Sequence, residues 1–595
     1  CGPQAPLRPP LWGGAARLVA AVAAAALVAC AAPRADAPDV EITLIAFNDL
    51  HGNLEPPGLA ITAPSSGGRT VAVPAGGAAY LASAIRQLKA KNPNNAVISA
   101  GDMIGASPLV SALFLDEPTV EVANALRVDF NAVGNHEFDK GQAELLRMKH
   151  GGCEQHTRLQ PCRLTGTFAG ADFGFLAANT FKADGSTLFP ATGMKTFGEG
   201  ERQVRVGFIG LTLKNTAAIV TPSGIAGLRF ADEAQTANAL VPRLKAQGAD
   251  IIVAIVHEGG ATDGGHNDKS CSGLTGAIVP ILERLDPSID VVVSGHTHRA
   301  YVCDYASVNP ARPFLLTSAG RYGTLLTEIR LRFDPAQRRL VAKSADNLIV
   351  QGEPFTASSG AEVALTPLYP RFGKDAAVAA LVDRYAAAAA PLAQREVGRL
   401  TAPVLRTPAR SGESALGNLI ADAQLAATRA PATGGAQIVF MNPGGVRADL
   451  RGAGGVVTYG QIFAVQPFAN TLVVKRMTGA QLRALLEQQF ESGSNTVTRP
   501  RVLSPSAGFT YAYDLSAPAG SRISDMRLEG RPIVDAEVYR VTMNSYLAAG
   551  GDNFTVFTQG TDVLGGELDV DALEAYLRAH SPLSPPATDR VKRID

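Results

Sequence analysis

Between residues 40 and 345 the apolar positions fall in short β-branched runs, separated by stretches whose apolar residues recur at helical spacing. Strands are predicted at 41–47, 96–100, 204–210, 251–256, 290–294 and 314–318, and helices at 78–91, 120–126 and 234–247. Two antiparallel-looking strands, 325–333 and 340–350, close this half. Strands that lead through turns into helices predict a layered α/β architecture, which places ligands beyond the carboxyl ends of its strands. A loose stretch at 351–372 contains Pro354, Pro367 and Pro370, and an alanine-rich helix at 375–390 runs up to Pro391. The second half has helices at 413–428 and 479–491. Its strands are predicted at 437–441, 471–476, 508–515 and 538–543, with a glycine turn, Asn442-Pro443-Gly444-Gly445, after the first. This is an α+β pattern. The expected organisation is a leader at 1–29, a first domain at 40–350, a connector at 351–390 and a separate α+β domain at 391–595.

Composition narrows the partners. The 595 residues are 46% hydrophobic, enough for large buried cores, and 60 Gly with 38 Pro fall short of a low-complexity chain. Lys and Arg number 54 and Asp and Glu 54, so no global basic field exists to hold a nucleic acid polymer. An anionic small molecule would need a local site.

The leader shows Arg8 and Arg17 before an apolar run at 18–29 that ends in Leu27-Val28-Ala29-Cys30. Basic flank, short apolar core and small residues at a boundary describe a secretory signal rather than a membrane span. The ending resembles a bacterial lipobox, which implies cleavage before Cys30 and its lipidation. The expected location is therefore periplasmic or cell-surface, with a lipid anchor to a membrane. No later run has the apolar length of a span. Beyond Cys1 and Cys30 the cysteines are Cys153, Cys162, Cys271 and Cys303. Three pairings are possible; the short polar segment between Cys153 and Cys162 favours Cys153–Cys162 with Cys271–Cys303. No C-x-x-C spacing supports a zinc ribbon, and an oxidising compartment is the simpler account.

Five short motifs follow in order along the first half: Asp49-Leu50-His51, Gly101-Asp102, Gly134-Asn135-His136-Glu137, His257, and Gly295-His296-Thr297-His298. Four directly follow a predicted strand. Imidazole, carboxylate and amide oxygen together suit Zn, Mn, Co or Fe. Two such cations sharing a carboxylate can clamp a phosphoryl group for in-line attack by a bridging hydroxide. Alternate residues of an extended segment share a face, so Asp-x-His and His-x-His can each converge on one ion.

In this order the motifs resemble the calcineurin-like metallophosphoesterases over about 41–319. The resemblance implies a layered β-sandwich domain with flanking helices and two divalent metal ions. One would be held by Asp49, His51, Asp102 and His298, the other by Asp102, Asn135, His257 and His296. The extended motif Asn135-His136-Glu137-Phe138-Asp139 resembles the 5′-nucleotidase and UDP-sugar hydrolase branch. There His136 would act on the transferring phosphoryl group and Asp139 would orient its imidazole.

In the second half, arginine forks suit phosphate or carboxylate, and an aromatic pair can sandwich a flat base. Residues 375–595 resemble the 5′-nucleotidase C-terminal domain, whose binding motifs match Arg406, Arg410, Asn442, Arg447, Phe468, Tyr546 and Asp552. The likeness implies that the aromatics stack a base, Asp552 holds ribose hydroxyls and the arginines grip phosphate. It also implies that one domain rotates on the other, with the connector as hinge. The expected function is that of an exported dimetal phosphohydrolase acting on nucleotides, 5′-nucleotides first. The alternatives are a 2′,3′-cyclic-nucleotide phosphodiesterase with 3′-nucleotidase activity, a UDP-sugar hydrolase, a thiosulfohydrolase-like enzyme, or a non-catalytic nucleotide-binding surface protein.

Overall fold

The computed structural model describes residue 2 and residues 38–595, apart from 158, 221, 358–360 and 469. The expected leader and Cys30 lie outside the described residues. Twelve strands of the first half build its framework. They are β1 (Val40–Phe47), β2 (Asn95–Ser99), β3 (Phe130–Ala132), β4 (Gly174–Leu176), β5 (Thr192–Phe197) and β6 (Val204–Leu211). Then follow β7 (Ile251–Val256), β8 (Val291–Ser294), β9 (Ala300–Asp304), β10 (Leu315–Ala319), β11 (Leu325–Asp334) and β12 (Arg339–Ile349). They form two six-stranded sheets, in the orders β12-β11-β1-β2-β3-β4 and β9-β10-β8-β7-β6-β5. In the first sheet β1, β2, β3 and β4 run parallel; in the second β6, β7, β8 and β10 do.

The two-residue period of each strand divides the core into layers. Ile42, Leu44 and Ala46 of β1 pack with Ile251, Val253 and Ile255 of β7 between the sheets. The alternate residues Ile45 and Phe47 face outward, onto helix α1 (Ala78–Lys91) and helix α2 (Glu117–Leu126). Ile252, Ala254 and Val256 pack against helix α3 (Glu233–Ala246) on the other side. Buried on both faces, these parallel strands read as the near-continuous apolar runs seen in the sequence. Each strand predicted in this half is present within a residue of its expected ends. Of the twelve strands in the two six-stranded sheets four are additional: β3 and β4 are too short to show a period, while β5 and β9 are edge strands without an apolar run. Disulfides join Cys153 to Cys162 and Cys271 to Cys303, the favoured pairing.

The connector differs from a free tether. Its helix, α4 (Ala376–Ala393), is capped by Asp375, which accepts from the main-chain N–H of Ala377 and Val378. It runs through Pro391 to Ala393 rather than ending before the proline, which removes one donor within the last turn. By length and composition α4 is apolar enough to cross a membrane. Yet Val378, Val382, Tyr385 and Ala389 pack into the first domain's core, and the Tyr385 hydroxyl donates to Glu121 at 3.1 Å. Its alanines, not a continuous apolar face, set its hydropathy.

The second domain has a five-stranded sheet in the order Ser504–Pro505, Ile438–Met441, Val538–Asn544, Thr471–Thr478, Thr561–Leu568. A four-stranded sheet pairs Arg531–Pro532, Ile523–Leu528, Phe509–Tyr513 and Val591–Arg593 in that order. Helices α5 (Ala415–Thr428) and α6 (Gly479–Glu491) cover them. The fold is thus mixed α/β, with a sandwich domain and a separate α+β domain.

Candidate active site

The sequence motifs converge because parallel strands of both sheets end at one edge. Asp49 and His51 follow β1, Asp102 follows β2 and Asn135 follows β3; from the second sheet, His257 follows β7, and His296 and His298 follow β8. Five of these residues are left-handed: φ is 50° at Asp49, 46° at His51, 49° at Asp102, 67° at His296 and 57° at His298. Such conformations cost about 1–3 kcal/mol each for non-glycine residues and persist where surroundings over-determine them. Glycine is required beside them. A Cβ on Gly101, itself at φ 86°, would lie 2.6 Å from His257 Nδ1, and one on Gly134 would lie 2.3 Å from Asp102 Oδ1.

The buried donors form two groups that share Asp102. His51 Nε2 lies 3.1 Å from His298 Nε2, 3.8 Å from Asp49 Oδ1 and 3.7 Å from Asp102 Oδ2. On the other side His257 Nε2 lies 3.0 Å from Asp102 Oδ2 and 3.1 Å from Asn135 Oδ1, and the His296 ring is 5.3 Å from that of His257. Asp49, His51 and His298 bring their ligand atoms within 4.8 Å of one another, as do Asp102, His257 and His296. Two imidazoles are oriented from behind: His51 Nδ1 faces the carbonyl of Gly105 at 2.9 Å and His257 Nδ1 that of Ala100 at 2.7 Å. Nε2 of each is thereby left to the cluster, the outer-shell arrangement of metal-binding histidines.

The electrostatics fit cations. Burial opposes ionisation of Asp102, but His257, His136 and His51 hold its carboxyl well below the usual range. Burial likewise opposes Asp49, and His298 outweighs it. Burial pushes His51 well down and His296 to about 3, so these imidazoles are neutral donors. At His257 burial is outweighed by Asp102 and Asp49, which push its imidazole up to about 10. Buried carboxylates, imidazoles and an amide oxygen together are a donor set for divalent metals.

His136 stands at the rim. Its Nδ1 lies 2.9 Å from Asp139 Oδ2, and its main-chain N–H donates to Asp102 Oδ1 at 2.8 Å. Burial disfavours the imidazolium, but Asp139 and Asp102 raise its pKa above the ordinary value. Glu137, which the sequence marked only as part of a motif, ties the strand ends together. Its carboxylate accepts from the main-chain N–H of Asp102, Met103 and Gly134 at 2.9, 2.9 and 2.6 Å. Burial and the nearby Asp102 push it up to about 7.

The second domain faces this cluster across a cavity of about 140 Å³, lined by His136, Asp139 and His296 on one side and by Arg447, Phe468, Tyr546 and Asp552 on the other. Arg447 lies 5.7 Å from the centre of the Phe468 ring. Asp552 is the most heavily bonded group here: Asn442 Nδ2 donates to it at 2.8 Å, Arg501 Nη1 at 2.8 Å and the Tyr546 hydroxyl at 3.0 Å. A Cβ on Gly551 would lie 2.4 Å from the Tyr546 ring, so glycine lets that ring seat. Arg406 lies close enough to Arg447 and Arg321 that burial first, and then their like charges, lower its pKa. Neither Arg406 nor Arg410 is among the residues that line this cavity. The Arg410 guanidinium is exposed and donates to the main-chain carbonyl of Asp595. Arg501 went unmarked in the sequence because Arg499-Pro500-Arg501 carries no motif; only folding sets it against Asp552.

Comparison with known proteins agrees with this geometry. Residues 42–300 match the calcineurin-like phosphoesterase family and residues 396–559 the 5′-nucleotidase C-terminal domain. The structure is similar to that of a 5′-nucleotidase precursor from Thermus thermophilus, with a TM-score of 0.71 and 26% identity over 93% of this chain and all of that one. A probable 5′-nucleotidase of Treponema pallidum is 26% identical over 93% of this chain and 94% of its own. The endonuclease YhcR of Bacillus subtilis is 28% identical over 93% of this chain, which spans 41% of that protein's length. The chain belongs to the family that joins a calcineurin-like phosphoesterase domain to a 5′-nucleotidase C-terminal domain, a family of metal-dependent phosphoric ester hydrolases.

Proposed function

We propose that this protein removes phosphate from nucleotides, 5′-nucleotides first, with two divalent cations held by the donor groups that share Asp102. The observation that carries this reading is the junction at His136: one side of the cavity it lines is the buried His/Asp cluster, the other an aromatic and carboxylate cleft suited to a nucleoside. Asp49, His51, Asp102 and His298 would hold one cation, and Asp102, Asn135, His257 and His296 the second. Bound there, the metals would supply Lewis-acid activation of water and neutralise charge developing on the phosphoryl oxygens.

The chain's own residues do the rest. Asp139 fixes the His136 imidazole with Nε2 free to face the cavity, placing a proton donor beside the phosphoryl group or the departing 5′-oxygen. Arg447 and Arg406 offer forks to the phosphate, Phe468 and Tyr546 offer faces to the base, and Asp552 accepts from the ribose. The domains must remain juxtaposed for this, since each supplies half the cavity.

Export belongs to the same reading. Two disulfides suit an oxidising compartment, and the lipobox-like ending at Cys30 would attach the mature chain to a membrane.

The test is phosphate release from a panel of 5′-nucleotides by protein stripped of metal and resupplied with Mn, Zn or Co. Metal-restored release that is lost in His136→Ala supports the reading. Release from 2′,3′-cyclic nucleotides, UDP-sugars or thiosulfate esters alone would replace it with that alternative.

A further inference from the structure

The polar groups of the nucleoside cleft are unevenly committed. The Asp552 carboxylate already accepts from three donors, Asn442, Arg501 and Tyr546. Asn442 Oδ1 accepts from Asn544 Nδ2 at 3.0 Å, and Asn544 Oδ1 from the main-chain N–H of Leu547 at 2.8 Å. Asn470 Oδ1 accepts from the Ser545 hydroxyl at 3.1 Å, and its amide also bonds the buried Asp569. Each of these side-chain acceptors thus already accepts from at least one protein donor, and the Asp552 carboxylate keeps about one of its four lone-pair sites for a ribose hydroxyl. Arg501 is different. A guanidinium has five N–H donors, and Asp552 takes one, at 2.8 Å. That bond pins the fork over the glycine turn, where a Cβ on Gly444 would stand 3.5 Å from Arg501 Nη1. The cleft thus presents surplus donors on a planar, anchored group.

We propose that Arg501 is a specificity-determining residue that selects nucleotides with a 6-oxopurine base, guanine or hypoxanthine, over adenine nucleotides. The inference rests on the nucleotide reading above. O6 and N7 of a 6-oxopurine are adjacent acceptors that a guanidinium meets with two parallel N–H bonds, whereas adenine sets its own N6 donor against the fork. A good bidentate pair discriminates by about 1–3 kcal/mol, or roughly 5- to 150-fold. Stacking on Phe468 and Tyr546 is indifferent to this choice, because every base has a π-face.

The experiment compares kcat/KM for 5′-IMP and 5′-AMP on the metal-loaded protein, wild type and Arg501→Gln and Arg501→Lys variants. The ratio is the readout, so a general loss of activity does not obscure it. The wild type should favour 5′-IMP by roughly tenfold. Both variants should bring the ratio near one, the lysine because it keeps charge but loses the fork. A wild-type ratio at or below one, or a ratio unchanged in Arg501→Gln, overturns the inference. Calorimetric binding of inosine and adenosine separates this from the parent reading. Inosine preference without hydrolysis of any nucleotide sinks the hydrolase reading and keeps Arg501's role; equal affinity for the two nucleosides sinks Arg501's role alone; binding of neither sinks both.

Discussion

The Phe468 ring of the second domain lies face to face with the His136 imidazole of the first, with centres 5.8 Å apart and planes 14° from parallel. Arg447 reaches the same aromatic ring. The side chain offered to a base and the one offered to a phosphoryl group are therefore in contact. Phe468→Ala should raise KM for 5′-nucleotides by roughly 5- to 150-fold, from a stacking loss of about 1–3 kcal/mol. It should also lower kcat, because His136 loses a wall. Steady-state kinetics showing a KM effect with kcat untouched would mean that the contact does not matter to His136.

His136 should carry a pH signature. Burial opposes its protonation, but Asp139 and Asp102 outweigh that and place its pKa above the ordinary 6.5. The protonated form should therefore persist to higher pH than in a free imidazole. Asp139→Asn removes the leading carboxylate, so the alkaline limb of the kcat profile should move to lower pH. An unmoved limb would assign it to another group.

Glu137 joins three main-chain N–H groups at the strand ends that bear Asp102 and Asn135. Glu137→Gln would turn an amide N–H toward one of those donors. Loss of such outer-shell partners typically costs 10- to 100-fold in metal affinity. Metal titration followed by calorimetry should show this loss, together with a lower Tm.

Asp569 is buried in the second domain, and burial pushes its carboxyl up to about 7. The unfolded chain ionises it near the ordinary 3.8, so its destabilising effect is absent below that pH, grows between 3.8 and about 7, and is complete above. Asp569→Asn should raise stability at pH 8, by an amount on the order of a few kcal/mol, and change little at pH 4. Urea unfolding at the two pH values measures it; equal effects at both would refute the assignment.

The disulfides should differ in weight. Cys271–Cys303 spans 32 residues, including the His296-Thr297-His298 turn, and Cys153–Cys162 spans 9. Loop-closure entropy favours the longer by about 1 kcal/mol. Paired serine substitutions at Cys271 and Cys303 should lower Tm more than those at Cys153 and Cys162, and they alone should weaken metal binding.

The sequence by itself determined the strand framework and the metal-binding motifs. Parallel strands buried on both faces must be continuous apolar runs, so the placement of Asp49, Asp102, His257 and His296 just after such runs was legible from local order, while their assignment as ligands came from the resemblance. It also separated the two domains by their texture. Tertiary structure decided what depends on elements distant along the chain. The connector helix, which runs through Pro391, joined the first domain's core through Val378 and Tyr385, though its alanines gave no strong face. Arg406 and Arg410 stand outside the lining of the cavity, while Arg501, in an unremarkable loop, enters it on the carboxylate of Asp552. Local periodicity records which side of an element is buried. It does not record which distant loop will stand opposite, and the cleft between these domains is made of such loops.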